Sequence, residues 1–244
     1  MRLWPYASES RLPEDFLIWR YHMHLYIVRH GLCRHNLPDS TFAVNDSIYN
    51  TVRQYDDVIL IPQGVLQAEL TGRRLKNISF DAAYASTTVR TIMTAAGILK
   101  FQQRPVELHL WDELIEIGTP RTPAPLQILC SIWDRLVPDD STIVAVNEGD
   151  DELWRRALHV REKLFETYGG DENVLIVSHG GFMHKYLLPA ILDIPREKYR
   201  LAAENCGITK LHIHTDGSVT VNCINETGHL GDSISREPFT LDIR

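Results

Sequence analysis

Cysteine is scarce in this sequence: four in 244 residues, Cys33, Cys130, Cys206 and Cys223, widely separated and never in a C-x-x-C pair. Such spacing supports neither a disulfide framework nor a zinc framework, and reads as reduced thiols that mostly fill core. Long apolar runs are missing as well. No segment reaches bilayer length, and the opening MRLWPYASESRLPEDFLIWRYHMH lacks the uninterrupted apolar stretch of a signal peptide. Positive charge is not in excess: 25 Lys and Arg stand against 32 Asp and Glu, a net charge of -7. No nucleic acid and no membrane is therefore expected as a partner, because both want a basic surface. There is no internal repeat and no low-complexity tract. The G-x-G-x-x-G of dinucleotide binders does not follow the first apolar run, and the C-x5-R phosphate loop of cysteine phosphatases is absent. The expectation is a soluble cytoplasmic protein in which any basic site is local. Whether it forms a homodimer stays open.

What is present is an ordinary globular composition, 44% hydrophobic and 23% charged, in a chain long enough for one large α/β domain or two small ones. Six short apolar runs read as strands: Leu25–Val28, Ala82–Ala85, Thr142–Val146, Val174–Val177, Ile208–Ile213 and Val219–Ile224. Between them lie helical patterns over Gly64–Leu75, Val89–Phe101 and Gly181–Leu192. In a further helix, Leu153, Ala157, Val160 and Leu164 share one stripe that Gly169–Gly170 closes. This alternation predicts a three-layer α/β/α fold with a mainly parallel central sheet, and the TDGS turn at 215–218 predicts an antiparallel hairpin at one edge. Residues 1–24 read as an extension to a single domain over 25–244. The Pro-, Asp-, Thr- and Ser-rich stretches at about 37–62 and 117–141 read as excursions over the sheet.

The chemistry lies at the strand ends. LYIV stops on Arg29, His30 and Gly31; AAYAS runs into TTVR, which puts Arg90 near a helix start; VLIVS stops on His179, Gly180 and Gly181. One arginine at a strand end is usually a solvated cap, and one histidine usually a satisfied core residue. In open α/β sheets, however, ligands sit at the carboxyl ends of parallel strands. Two arginines and two histidines at three such ends, with glycines and a helix start beside them, make a cage suited to phosphate. His212 and His214, at i and i+2, share one side of a strand and suit a metal, but no third or fourth ligand is evident, so no metal site is expected.

These blocks resemble the histidine phosphatase superfamily, in its phosphoglycerate-mutase-like branch. RHGLCRHN is similar to the R-H-G-x-x-x-x-N signature, with Arg29, His30, Gly31 and Asn36 in register. DVILIPQGVLQAELTGRRL, FDAAYASTTVRTIMTA and VLIVSHGGFM are similar to three further segments, and together the likeness runs from about Leu25 to Ile213. The resemblance implies that His30 is a neutral nucleophile whose tautomer is fixed by a backbone carbonyl. It implies that Arg29, Asn36, Arg90, His179 and Gly180 bind phosphate, with His179 as an imidazolium beside the anion. The general acid would be the Glu of an L-x-E motif. DELIEIGTP offers Glu116, with Glu113 as its rival and Gly118 closer than the usual spacing. No metal and no cofactor is required, since these groups hold the charge.

Two departures bear on substrate. The residues after R-H-G are Leu32 and Cys33, and the usual Pro-Leu-Thr is Ile59-Leu60-Ile61. Apolar residues at these places argue against a phosphoglycerate pocket. The expected function is a metal-independent phosphatase that hydrolyses a small-molecule phosphate ester through phospho-His30. A phosphomutase of the same superfamily and a non-catalytic phospholigand-binding module are the alternatives.

Overall fold

The computed structural model describes residues 22–36, 58–118, 124–138 and 148–233. Seven strands form one sheet: β1 Met23–Arg29, β2 Ala82–Ala85, β3 Leu108–Leu110, β4 Leu136–Val137, β5 Glu172–Ser178, β6 Ile208–Ile213 and β7 Val219–Glu226. Their order across the sheet is β4-β3-β2-β5-β1-β6-β7. Every pair from β4 to β1 is parallel, and β6 and β7 add an antiparallel edge. The expected mainly parallel sheet with an edge hairpin is what forms.

Helices α1 Pro62–Leu75, α2 Val89–Leu99, α3 Leu126–Ile132 and α4 Asp150–Thr167 connect the strands. After β5 the chain winds through α5 Gly180–Phe182, a π turn over Met183–Leu187 and α6 Leu188–Leu192. Pro189 follows the π turn, and its missing N–H leaves no ordinary helical donor for the Lys185 carbonyl.

The central strands are buried on both faces, and their side chains divide with period two. Tyr26, Val28, Leu175 and Val177 pack with Ile92, Ala95 and Ile98 of α2 and Leu75 of α1. Leu25, Ile27, Val174 and Ile176 pack with Leu153, Val160 and Leu164 of α4 and with Phe182, Leu187 and Ile191 on the opposite face. This is why β1 and β5 read as unbroken aliphatic runs in sequence. Five of the six expected strands are present, and the sixth, Thr142–Val146, lies outside the described residues. The sequence pattern missed β3 and β4, which are three and two residues long and too short for a periodicity to show. The stretch expected as an excursion over 117–141 contributes α3 and the edge strand β4. Most of 37–62 lies outside the described residues, as does the extension apart from Met23 and its neighbours.

Candidate active site

Strand register assembles the site. Arg29 pairs with Ser178 across the parallel β1–β5 ladder, so the next residues of both strands leave the sheet side by side. The His30 N–H donates to the Ser178 carbonyl at 2.9 Å. The rings of His30 and His179 lie 5.2 Å apart, edge to face. On the other side of β5, Ala85 pairs with Val177, which sets Ser86 beside His179; the hydroxyl of Ser86 is 2.7 Å from His179 Nε2. Helix α2 begins three residues later and carries Arg90 in its first turn, where Nη2 donates to His179 Nδ1 at 3.2 Å.

These contacts decide where the protons are. Arginine only donates, so His179 Nδ1 presents its lone pair and the ring proton sits on Nε2, facing Ser86. His30 Nδ1 lies 2.8 Å from the Gly31 carbonyl, which accepts a proton and cannot give one; Nε2 therefore carries the free lone pair. Burial pushes the pKa of His30 well below the ordinary imidazole value, and Arg90 and Arg29 push it further. Burial does the same to His179, followed by Arg90 and His30. A neutral His30 with its tautomer fixed by a carbonyl is the arrangement expected from sequence. In the ligand-free protein His179 is neutral rather than an imidazolium, because a guanidinium N–H is already aimed at its ring.

Arg29 is buried and donates through Nη1 to the Ala203 carbonyl at 2.7 Å. Burial lowers its pKa from the usual arginine value, and the Glu116 carboxylate opposes that shift. Asn36 stands near the same loop. Its side-chain oxygen accepts from the Cys33 N–H at 3.2 Å and from Asn205 Nδ2 at 3.3 Å, so its NH2 is the end it can offer an anion. Asn205 also donates to the His30 carbonyl at 2.8 Å.

The glycines serve close approach more than anion binding. The Gly31 N–H is committed to Thr94 Oγ1 at 2.9 Å. A Cβ on Gly31 would lie 2.6 Å from the Gly64 carbonyl, and one on Gly64 only 2.0 Å from the Leu32 carbonyl. The loop after β1 thus rests backbone to backbone on the start of α1, where Gln67 Oε1 accepts the Leu32 N–H at 2.8 Å. At Gly180 a Cβ would press on Arg29 Nε at 3.0 Å, and at Gly181 on Glu116 Oε1 at 2.6 Å.

Glu116 and Glu113 separate clearly. The Glu116 carboxylate accepts from the N–H groups of Gly181 at 3.0 Å, Phe182 at 2.8 Å and Ile117 at 3.0 Å, at the helix start that follows His179. Glu113 is 2.9 Å from Trp111 Nε1 and 2.6 Å from His159, away from that helix start. Leu114, fully buried, anchors the segment between them, and Ser178 Oγ donates to its carbonyl at 2.7 Å. Arg156 clamps the same segment from α4: Nη1 donates to the carbonyls of Glu113 at 2.6 Å and Ile115 at 2.9 Å, while Nε is 2.9 Å from Glu148.

Arg29, His30, Arg90, His179, Gly180, Asn36 and Glu116 are therefore drawn to one end of the sheet, with Glu113 set apart. Sequence reasoning missed Ser86, Thr94, Asn205 and Arg156, and gave Gln67 no role beyond its match within DVILIPQGVLQAELTGRRL. Arg156 had a signal: it occupies a position on the buried stripe of α4, between Leu153 and Val160, where a charge is out of place. Asn205 had none, since it comes from an irregular segment. Cys33 is buried in a small cluster with Leu60, Ala68 and Cys206, its thiol pKa raised by that burial, and its Sγ lies 3.2 Å from Asn36 Oδ1; it fills core as a thiol, not a thiolate. In the same loop His35 is exposed and Arg34 half-buried. Ile59 corrects one expectation: it packs into the main core with Val28 and Ile208 and so carries no information about substrate polarity.

Two neutral, buried histidines and two arginines thus stand together at one end of an α/β sheet. Residues 25–227 match the sequence profile of histidine phosphatase superfamily (branch 1), and the chain belongs to that family. It is 33% identical over 181 residues to the Caenorhabditis elegans "Serine/threonine-protein phosphatase Pgam5, mitochondrial", covering 70% of this chain and 58% of that relative. The chain thus spans little more than half the length of that relative. In fold it is similar to a phosphoglycerate mutase from Bacillus anthracis str. Sterne, with a TM-score of 0.60, 24% identity, and coverage of 88% and 98% of the two chains. It is also similar to a phosphoserine phosphatase from Entamoeba histolytica in complex with 3-phosphoglyceric acid, with a TM-score of 0.57, 21% identity, and coverage of 85% and 99%.

Proposed function

We propose that the chain is a phosphatase that takes a phosphoryl group onto His30 and passes it to water. The observation that carries this reading is the Nδ1 contact of His30 with the Gly31 carbonyl, which leaves a neutral Nε2 lone pair beside Arg90, Arg29 and His179. In the first step Nε2 attacks phosphorus as the ester P–O bond breaks, and the protonated form of Glu116 gives its proton to the departing oxygen, leaving the carboxylate on the N–H groups of Gly181 and Phe182. In the second, water attacks the phosphoimidazole, Glu116 takes back a proton, and His30 and inorganic phosphate are restored. The Gly31 carbonyl faces the Nδ1 proton while the ring carries positive charge. Arg29 and Arg90 neutralise the equatorial oxygens without a metal ion at the phosphorus, a contribution of roughly 3 kcal/mol for one well-placed donor. Asn36 NH2 adds a further donor.

A free small phosphate ester is the substrate expected from sequence. A second reading, a phosphoserine or phosphothreonine side chain on a protein, is favoured by the 33% identity to a relative named as a serine/threonine-protein phosphatase. Release of phosphate from a phosphopeptide with kcat/KM well above that for free phosphoserine supports the second reading; the reverse order supports the first. Isomerisation of a phosphorylated sugar acid faster than its hydrolysis would replace both with a mutase. For the phosphohistidine itself, rapid acid-free quenching with labelled substrate should trap an acid-labile, base-stable phosphoprotein that is absent in His30→Ala. Full turnover by the alanine variant would refute the mechanism.

A further inference from the structure

The end of the sheet opposite His30 gathers a second set of ligand-type side chains. In the antiparallel β1–β6 ladder His24 faces His212, and their rings stack at 4.4 Å. His22 and His214 extend the same pattern by one alternate step, so four imidazoles share one face, with the His212 and His214 rings 4.2 Å apart. On the other side of β1, Met23 pairs with Glu172, which brings Asp171 level with His22. His22 Nε2 is 2.9 Å from Asp171 Oδ1, His24 Nε2 is 3.2 Å from the same oxygen, and His22 Nδ1 is 3.3 Å from His212 Nε2. The sequence placed His212 and His214 together without further ligands; the fold supplies the ones that were missing.

We propose that His22, Asp171 and His212 form a binding site for a divalent transition-metal cation of the zinc type, separate from the phosphate site. One ligand atom from each lies within 4.8 Å of those from the other two. Donors bonded to tetrahedral zinc at roughly 2.0–2.1 Å stand about 3.4 Å apart, so drawing these atoms in from separations of up to 4.8 Å asks for shifts of about an ångström. His22 and Asp171, with side chains 35% and 61% exposed, have room to make them and leave a path of entry. The donor set of two imidazoles and one carboxylate is that of borderline cations rather than of magnesium or calcium. His24, on the same carboxylate oxygen, positions Asp171 for the ion. Three protein ligands leave a fourth place for water. The ion would tie together the ends of β5, β1 and β6. It would sit eight residues before His30 along an extended strand, about 26 Å away, so its role is to fasten the sheet and not to transfer phosphate.

The test uses the chelator-washed full chain without a histidine tag. Titration with Zn2+ followed by calorimetry should show one saturable equivalent. At a hundredfold excess of free Zn2+ over Kd, Tm should rise by about 5–10 °C. Co2+ should give visible bands without the near-ultraviolet band of a thiolate ligand. His212→Ala should weaken binding at least about 100-fold and Asp171→Asn about 10-fold or more, with activity toward p-nitrophenyl phosphate retained. His22→Gln, at a more exposed position, provides the same comparison if His212→Ala does not fold. The proposal is overturned by the lack of a saturable equivalent, by binding that survives these substitutions, or by a thiolate band that hands the ion to the cysteines.

Discussion

Glu116 and Glu113 stand three positions apart, and their surroundings assign them different work. Glu116 lies on the helix start that follows His179, whereas Glu113 is engaged by Trp111 and His159. A general acid matters most when the leaving group is poor. Glu116→Gln should therefore slow hydrolysis of an alkyl phosphate by roughly 10²–10⁴-fold and slow p-nitrophenyl phosphate much less, because nitrophenolate leaves without a proton. Glu113→Gln should keep both rates within a few-fold of the parent. Steady-state kinetics on the two substrates checks this, and a leaving-group-dependent loss at Glu113 would reverse the assignment. The four charged or imidazole residues of the cage were legible in sequence because each follows a strand or starts a helix, where side-chain direction is set by local geometry. The residues that hold them were not. Thr94, Gln67 and Asn205 each hold loop backbone through a hydrogen bond, and no local periodicity marks such a bond.

Among the elements, α4 does more than cover the sheet. Its buried Arg156 spans from Glu148 to two carbonyls of the segment that carries Glu116, and its guanidinium lies over the Phe182 ring at 4.1 Å. Arg156→Lys keeps the charge but cannot make this fork of contacts. It should lower kcat on alkyl phosphates about tenfold or more while changing p-nitrophenyl phosphate turnover little, the same signature as loss of Glu116 in weaker form. Arg156→Met should also destabilise by up to about 3 kcal/mol, since it leaves half-buried Glu148 and the carbonyls of Glu113 and Ile115 without this partner. Denaturant titration alongside the two-substrate assay separates the effects. An equal loss on both substrates would make Arg156 a packing residue only. Helices α2 and α4 were readable because each carries a long apolar stripe, whereas the buried face of α1 is mostly small and polar, with Gly64, Gln67, Ala68, Thr71 and Gly72 before Leu75. β3, β4 and α3 were not, being two to seven residues long and defined by their neighbours in the sheet or core.

At the scale of the whole molecule, the site imposes a pH dependence on stability. His30 and His179 are held neutral in the folded state, with pKa values well below that of an exposed histidine. Below about pH 6.5 the unfolded chain takes up protons that these two rings refuse, so stability rises with pH across the window between the folded and unfolded values. Each ring can contribute up to about 1.4 kcal/mol per pH unit there. His24, His184, His212 and His229 are shifted in the same direction. Denaturation midpoints should change little from pH 7.5 to 6.5 and fall clearly from 6.5 to 5.5, and a flat profile would contradict the assignment of neutral buried rings. The β1–β5 ladder carries one more consequence. It joins residues about 150 positions apart, and the Arg29 contact with Ala203 closes a span of 174. While the chain is being synthesised, Arg29 and His30 emerge early and wait, without partners, until β5 and then Ala203 leave the ribosome. A nascent chain therefore lacks the assembled site until the segment around Ala203 has left the ribosome, and the activity proposed for it cannot come earlier.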